Sequence, residues 1–434
     1  AANERIEGSF VGIGIRFQII KDTLYVINCI PNGPSEKVGV LAGDKIIIVE
    51  KDTIAGVGLK NSDVRKMLLG EKGSKVKISV LRGKNPKLLD FTITRDKIPV
   101  HSVASVYMVD DKVGYIKLTN FSRTSAQEVR SAIRDLKSQG MEDLIFDLQG
   151  NGGGLLSAAK YVADEFLADN KLIVYSEGRA QPRSNLMADV KGNFESGRLI
   201  VLIDEYSASA SEIVAGAIQD WDRGLLVGRR TFGKGLVQRP VQLSDGAQVR
   251  LTIARYYTPS GRYIQKPYDD LEEFKKDRYN RYLRGEMMHE DSIKFEDSLA
   301  YTTKITKRTV YGGGGIMPDK FVGLDTTEYS DLFRGLIRTG TMNTFALNYV
   351  DTKRNDIKAK YPDLKTFIQN FEVDEKMLAE LFELAIEQDT SLVATQEELA
   401  LSQDLIEKRL KAMIAQNIWD QTAFYQIMNV KNEI

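Results

Sequence analysis

Over residues 9–96 apolar and polar positions alternate with a period of two, which places successive side chains on opposite faces of a strand. The alternation predicts strands at Thr23–Asn28, Lys45–Glu50, Lys75–Arg82 and Leu89–Thr94. A short helix is predicted over Ser62–Leu69, with Ser62 as its cap and Gly70 as its stop. Ile98–Pro99 marks a boundary. From Val113 the period changes. Val113–Leu118 reads as a strand, after which Ala126, Val129, Ile133 and Leu136 recur at helical spacing and Gly140 serves as a C-cap. Leu144–Leu148 is a buried strand running into Gly152-Gly153-Gly154, and a helix follows through Phe166. Further strands are expected at Leu172–Tyr175, Leu199–Ile203 and Leu225–Val227, with a helix from Ser207-Ala208-Ser209 to about Trp221. Leu236–Leu243 and Gln248–Tyr257 form a hairpin about Asp245-Gly246. Repeated strand–helix units predict a parallel or mixed sheet with helices on its faces.

Tyr268–Arg308 is charged and tyrosine-rich and reads as an insertion, and Gly312–Gly315 followed by Pro318 is a loop. From about Asp325 the pattern is helical, at Leu364–Phe371, Met377–Ile386 and Leu399–Met428, with Thr395 and Glu398 as a capping box before the last. At 434 residues the chain is too long for one core. The expected class is multidomain α+β: a β-rich module, an α/β core and a C-terminal helical region.

Composition then removes several function classes. Sixty basic residues balance sixty acidic ones, so no global field favours nucleic acid or an anionic membrane. The longest apolar runs, such as Ile46–Val49 and Leu199–Ile203, are strand-sized rather than membrane-sized. Cys29 is the only cysteine, so neither an intrachain disulfide nor a thiolate metal site is available, and no cofactor is expected. His101 and His289 are the only histidines and read as surface residues. A serine enzyme built on this chain needs a base other than imidazole. The chain opens at Ala1 without methionine or a signal-like segment, which reads as a processed or trimmed product.

Four segments carry candidate chemistry. Phe10-Val11-Gly12-Ile13-Gly14-Ile15 is a Gly-x-Gly loop entering an apolar strand, able to aim backbone N–H groups at a carboxylate. A nucleotide fingerprint would need a third glycine where Phe17 stands. In Ile203–Glu212 a buried strand meets a helix through small residues, exposing Ser209 where N–H groups and the helix dipole favour negative charge. Ser209 with Glu212 is also an S-x-x-E capping box, and taken alone that is the plainer reading. Gly233-Lys234-Gly235 leaves Lys234 little neighbouring bulk. Gly228–Lys234 also fits G-x-x-x-x-G-K, but Gly235 stands where Ser or Thr should bind magnesium and a strand follows instead of a helix. In Asp147-Leu148-Gln149-Gly150-Asn151-Gly152-Gly153-Gly154, a glycine loop at the end of a buried strand can present an N–H to an oxyanion.

Gly33-Pro34-Ser35-Glu36-Lys37 and Leu41-Ala42-Gly43-Asp44-Lys45-Ile46, with the Gly12–Gly14 loop, resemble a PDZ domain. The order and spacing of all these segments over residues 9–325, including Gly314-Gly315-Ile316-Met317-Pro318-Asp319, resemble the C-terminal processing peptidases, or tail-specific proteases. The resemblance implies a PDZ domain over 9–97, a crotonase-like α/β serine peptidase core over 98–325 with an insertion at about 268–308, and a helical domain over 326–434. Residues 1–8 would be the remnant of a helical segment that precedes the PDZ in this family. It further implies Ser209 as nucleophile, Lys234 as general base, Gln238 as the group orienting that lysine, and the N–H groups of Gly153 and Ala210 as the oxyanion hole. Substrates would be proteins or peptides with free, apolar C-termini, and the location the bacterial cell envelope, in the periplasm.

Elementary chemistry constrains those roles. A free lysine, with a pKa near 10.4, is protonated at neutral pH, so a lysine base must be desolvated. Gln238 lies four strand residues from Lys234, about 13 Å if the chain is straight, so the strand must bend near Gly235 for the two to meet. Asp220 lies eleven helical residues beyond Ser209, about 16 Å along the axis, and reads as structural. Gln149 and Leu69 stand where many relatives carry arginine, so the ion pairs of those arginines are expected to be missing. Leu399, Ile406, Leu410, Met413, Ile418 and Trp419 predict packing on the core or on a second subunit, giving a homodimer. Two other classes fit parts of the pattern: an inert PDZ scaffold, and a crotonase-like acyl-CoA enzyme.

Overall fold

The computed structural model describes residues 6–83 and 86–430. It divides into two compact units. One holds Ser9–Val100 together with the helical stretch from Thr326; the other is built on His101–Asp325.

The first module runs β1 (Ser9–Gly12), β2 (Ile15–Ile20), β3 (Thr23–Cys29), α1 (Pro34–Lys37), β4 (Lys45–Val49), β5 (Asp52–Thr53), α2 (Asn61–Leu68), β6 (Lys75–Leu81), β7 (Leu89–Thr94) and β8 (Asp96–Pro99). Its main sheet has the order β2-β3-β4-β6-β7, with β2 on an edge, and β1 pairs with β8. The alternation predicted for Lys75–Arg82 is realised: Val76, Ile78 and Val80 enter a core shared with Leu24, Val26, Ile46, Val64 and Leu68. The predicted cap of α2 is corrected. Lys60, not Ser62, is the N-cap, because Asp63 in the first turn accepts the Lys60 N–H at 3.2 Å. At the other end Arg95 donates to the Leu68 carbonyl at 3.0 Å and the Met67 carbonyl at 2.9 Å, satisfying terminal acceptors of the helix.

The second unit contains β9 (Val103–Met108), β10 (Val113–Leu118), α3 (Ser125–Ser138), β11 (Asp143–Asp147), α4 (Leu156–Asp164), β12 (Leu172–Gly178), β13 (Gln181–Met187), β14 (Leu199–Ile203), α5 (Ala210–Asp220), β15 (Leu225–Gly228), β16 (Leu236–Gln242), β17 (Gln248–Tyr257), α6 (Leu271–Leu283), β18 (Ala300–Thr302), β19 (Thr309–Tyr311) and β20 (Lys320–Phe321). Its six-stranded sheet has the order β20-β15-β14-β11-β10-β9, parallel except for β9. A four-stranded antiparallel sheet, β13-β12-β17-β16, forms a second layer. The tyrosine-rich insertion contains α6, which local periodicity does not predict.

Helix α5 touches β15 of one sheet and β12 of the other, and every one of its residues is buried. Its sequence, Ala-Ser-Glu-Ile-Val-Ala-Gly-Ala-Ile-Gln-Asp, is small enough to be enclosed on all sides, and its polar members must then be paired. Asp220 pairs with Arg262, neither side chain being exposed, and also accepts the Ser260 N–H at 2.7 Å. Asp220 is therefore structural, as its helical spacing predicts.

The C-terminal region adds α7 (Asp331–Arg338), α8 (Thr341–Lys360), α9 (Leu364–Asn370), α10 (Glu375–Gln388), α11 (Gln396–Ile418) and α12 (Gln421–Met428). Thr395 caps α11 by accepting the Glu398 N–H, which is half of the predicted capping box; the Glu398 carboxylate accepts the Leu332 N–H at 2.8 Å instead. The single helix expected over Leu399–Met428 is broken, because Trp419 leaves helical geometry and Asp420 caps a new helix through the Ala423 N–H. Ile406, Leu410 and Ile418 are buried in this region's own core, with Leu399, Met413 and Trp419 packed against it. Asn343 donates to the Gln18 side chain at 2.7 Å, joining α8 to β2 within the same unit.

Arg262→Met should leave the Asp220 carboxylate buried without its counter-charge, a loss of about 3–5 kcal/mol. The expected result is a lower denaturant midpoint for the second unit, followed by Trp221 fluorescence in a Trp419→Phe background.

Candidate active site

Strand β14 delivers the chain into a tight turn. The Asp204 carboxylate accepts the N–H groups of Tyr206 and Ser207 at 3.0 Å each and of Gly150 at 2.9 Å. Burial pushes its pKa up against those donors. Ser209 follows with φ +57° and ψ −110°, a conformation that costs a non-glycine residue energy and persists only where the surroundings impose it. Half of the expected capping box forms: Glu212 accepts the Ser209 N–H at 2.8 Å, while the Ser209 hydroxyl makes no capping bond. That hydroxyl, half-buried at the start of α5, is left for other chemistry.

The glycine loop after β11 lies directly against this serine. Gly153 has φ +96°, and a Cβ there would come within 2.6 Å of the Ala208 oxygen and 2.8 Å of the Ser209 Cβ. Asn151 ties the two segments. Its carbonyl accepts the Ala208 N–H at 3.0 Å and the Ser211 hydroxyl at 2.8 Å, and its side chain accepts the Gly153 N–H at 2.9 Å. Of the two expected oxyanion donors, Gly153 is thus engaged, whereas the Ala210 N–H opens α5 and has no intrahelical acceptor. Lys117 on β10 lies 2.9 Å from Asp147 and donates to the Gln149 carbonyl at 2.7 Å, in a nearly buried site.

The third segment, Thr231–Gly235, carries Lys234. Glu212 is fully buried and accepts four hydrogen bonds. One oxygen takes the Thr231 hydroxyl at 2.6 Å and the Gly233 N–H at 2.7 Å; the other takes the Ser209 N–H at 2.8 Å and the Lys234 N–H at 2.9 Å. Burial raises the Glu212 pKa, and the four donors act against that rise. The Tyr256 hydroxyl contacts the carbonyls of both Ser209, at 3.1 Å, and Lys234. Gln265 accepts the Gly235 N–H at 2.9 Å. From the insertion, Arg281 donates to the carbonyls of Thr231 at 3.0 Å and Arg230 at 2.8 Å. Burial, then the charge of Arg230, lowers the Arg281 pKa to about 10. No helix follows Lys234, so the G-x-x-x-x-G-K pattern builds no phosphate cradle at a helix N-terminus.

The structure thus joins Ser209 and Lys234 through their peptide groups rather than their side chains. Their side chains are not hydrogen-bonded to each other. The half-buried Lys234 ammonium has no carboxylate within 4.0 Å among the described residues. Gln238 is exposed on β16, beyond a bulge at Val237/Gln238, and makes no hydrogen bond to Lys234. Glu212 has a local signal in the S-x-x-E pattern; Tyr256, Gln265 and Lys117 have none.

In the first unit the Gly12–Gly14 loop is fixed through its carbonyls. The Ile13 carbonyl accepts the N–H of Ser35 at 3.0 Å and its hydroxyl at 2.7 Å, and the Gly14 carbonyl accepts the Ile30 N–H at 2.9 Å. With both carbonyls tied inward, the Ile13 and Gly14 N–H groups have no protein acceptor among the described residues. Gly14 has φ +75°. Phe10 and Leu69 crowd Gly12 with apolar atoms, each 3.1 Å from where its Cβ would be. Val11 is half-buried on β1, and Ile15 opens the edge strand β2. No group of three His, Cys, Asp or Glu able to hold a metal occurs among the described residues.

Residues 112–272 match peptidase family S41, residues 11–93 match the PDZ domain, and residues 332–420 match a family of unknown function. The chain is 34% identical over 264 residues to the carboxy-terminal processing protease CtpA of Bacillus subtilis, covering 61% of this chain and 56% of that one. It is 33% identical to the solved photosystem II D1 C-terminal processing protease, covering 58% of this chain and 69% of that one, with a TM-score of 0.33. The solved PDZ domain of the carboxy-terminal protease of Vibrio cholerae, in complex with a peptide, is 38% identical; the match covers 21% of this chain and 97% of that one, with a TM-score of 0.20. This chain spans between about half and two thirds of the length of the curated relatives it matches.

Glu212→Ala should strand the N–H groups of Ser209, Gly233 and Lys234, each at about 1–3 kcal/mol. Amide hydrogen exchange over Ser209–Ile213 and Thr231–Gly235 should accelerate at least tenfold, while exchange in the Ser9–Val100 module stays unchanged.

Proposed function

This chain belongs to peptidase family S41, and on that premise we propose that it is a serine endopeptidase acting near the C-terminal tails of unfolded or extended proteins. The observation that carries the reading is the Glu212 carboxylate, one oxygen of which accepts the N–H groups of Ser209 and Lys234 together. This supports the reading because the backbone at the proposed nucleophile and at the proposed base, twenty-five residues apart, is tied to one carboxylate.

In the proposed reaction the neutral Lys234 amine takes the Ser209 hydroxyl proton as the oxygen attacks the scissile carbonyl. The Ala210 N–H, at the positive end of α5, stabilises the oxyanion, joined by Gly153 once Asn151 releases it. The ammonium then protonates the departing amine. Water, deprotonated by the same lysine, hydrolyses the acyl-enzyme. Gln238 is assigned the orientation of the Lys234 side chain; since it is exposed here, that role requires β16 to shift.

The Phe10–Ile15 loop is proposed to bind the substrate's terminal carboxylate through the Ile13 and Gly14 N–H groups, with the tail extended along β2. The apolar surroundings of Gly12 favour an apolar final residue. We place the protein in the bacterial cell envelope, in the periplasm, in line with its bacterial relatives. A homodimer through the helical region is also proposed, using surface other than the positions already engaged in that region's core. Sedimentation equilibrium of the full chain tests it, and a monomer at tens of micromolar would rule it out.

Ser209→Ala should abolish cleavage of unfolded β-casein without lowering the thermal midpoint. Lys234→Arg should be equally inactive, because guanidinium stays charged. Retained turnover in either variant would reject the dyad. Binding to full-length Ser209→Ala should be at least tenfold weaker for a C-terminal amide than for the same apolar-ended peptide as free acid, since charge-assisted bonds contribute about 1.5–3 kcal/mol each. Equal affinities would reject carboxylate capture.

A further inference from the structure

A lysine that acts as a base needs its amine held towards the serine, yet the Lys234 side chain has no hydrogen-bonding or ionic partner among the described residues. Its direction is therefore set by its own backbone. The N–H of Lys234 is held by Glu212. Its carbonyl is held by the hydroxyl of Tyr256, a residue the reaction scheme leaves without a role. We propose that Tyr256 is the positioning residue that aims Lys234 at Ser209, the task otherwise assigned to Gln238. This inference rests on the reading of Lys234 as general base.

Three features of Tyr256 support the assignment. First, it holds consecutive peptide groups: its hydroxyl donates to the Lys234 carbonyl and its N–H to the Gly235 carbonyl at 3.0 Å. Both ends of the Lys234–Gly235 segment are thereby referred to one rigid position near the end of β17. Second, the same hydroxyl lies 3.1 Å from the Ser209 carbonyl. A phenol has a single proton, and the Ser209 carbonyl already accepts the Ile213 N–H at 3.0 Å. The Lys234 carbonyl has no other donor among the described residues, so it depends on that proton and the serine carbonyl does not. Third, Tyr256 is 1% exposed and packed in the core of its unit, so the hydroxyl cannot drift with the loop. Burial, reinforced by the charge of Glu212, raises its pKa well above the ordinary phenol value. It stays a donor throughout the working range and does not compete with Lys234 as a base.

Deleting the hydroxyl while keeping the ring leaves the carbonyl of half-buried Lys234 without its donor. The peptide must then turn towards water, and the amine is carried off line. A displacement of this kind acts on the chemical step and not on tail capture. In full-length Tyr256→Phe, kcat on β-casein should fall at least tenfold while KM stays within twofold of wild type. The affinity of a free-acid peptide for the protein and the thermal midpoint should both be unchanged. A kcat within twofold of wild type would overturn the assignment, as would a loss of activity that appears as raised KM or tracks a lowered midpoint. Should the phenylalanine variant not fold, 3-fluorotyrosine at 256 keeps the ring and gives a stronger donor. A changed kcat at constant KM then supports the role, and an unchanged kcat rejects it. Ser209→Ala and Lys234→Arg run alongside separate the two levels. Activity surviving in either rejects the dyad itself, whereas inactive dyad variants beside a fully active Tyr256→Phe reject only the positioning role.

Discussion

The carboxylate of Glu212 accepts four hydrogen bonds in a site that water does not reach, and the geometry of the active site depends on it. An isolated buried carboxylate would be costly. Here three backbone N–H groups and a hydroxyl solvate it, and it lies in the first turn of α5, where the helix dipole favours negative charge. The same four bonds hold Ser209, Thr231, Gly233 and Lys234 in one arrangement. The strained backbone at Ser209 is thus fixed by a group that also fixes its partner.

The surrounding architecture is arranged so that this cluster can close. Helix α5 is enclosed between two sheets, which its small residues permit, and its last polar residue is balanced by the fully buried Arg262. Gly153 and Gly233 let backbone meet backbone where a Cβ would collide with the Ala208 oxygen or approach the Gly314 carbon to 3.1 Å. Behind the lysine loop the insertion contributes Arg281, whose burial is costly enough to depress its pKa and whose return is two carbonyls held in place. The insertion is accordingly a brace of the Lys234 loop as well as a surface elaboration.

The Gly12–Gly14 loop uses a different device. Nothing there is strained into reactivity. Its carbonyls are held by Ser35 and Ile30, its N–H groups have no protein acceptor among the described residues, and it leads into β2 at the edge of the sheet. The C-terminal helices belong to the same unit and meet β2 at Gln18, so the strand that would take a tail is supported by a region outside the PDZ sequence.

What the sequence determined by itself is whatever short-range chemistry encodes. The strands Thr23–Asn28 and Leu199–Ile203, the turn into Ser209, the glycine loop at Gly153, the structural reading of Asp220 and the cap at Thr395 all follow from periodicity, turn residues or spacing within a dozen positions. Errors at this level were also local: Asp63 moved the start of α2 to Lys60, and Asp420 split the last predicted helix. The tertiary structure alone decided what holds the segments around Ser209 and Lys234. Tyr256 meets Lys234 from twenty-two positions away, and Lys117 meets Gln149 from thirty-two. Gln238, only four positions from Lys234, makes no hydrogen bond to it, since a bulge and an exposed strand intervene. A hydrogen bond between distant residues leaves no periodic trace in either neighbourhood. Its existence depends on the packing of two sheets around α5, which no local pattern specifies.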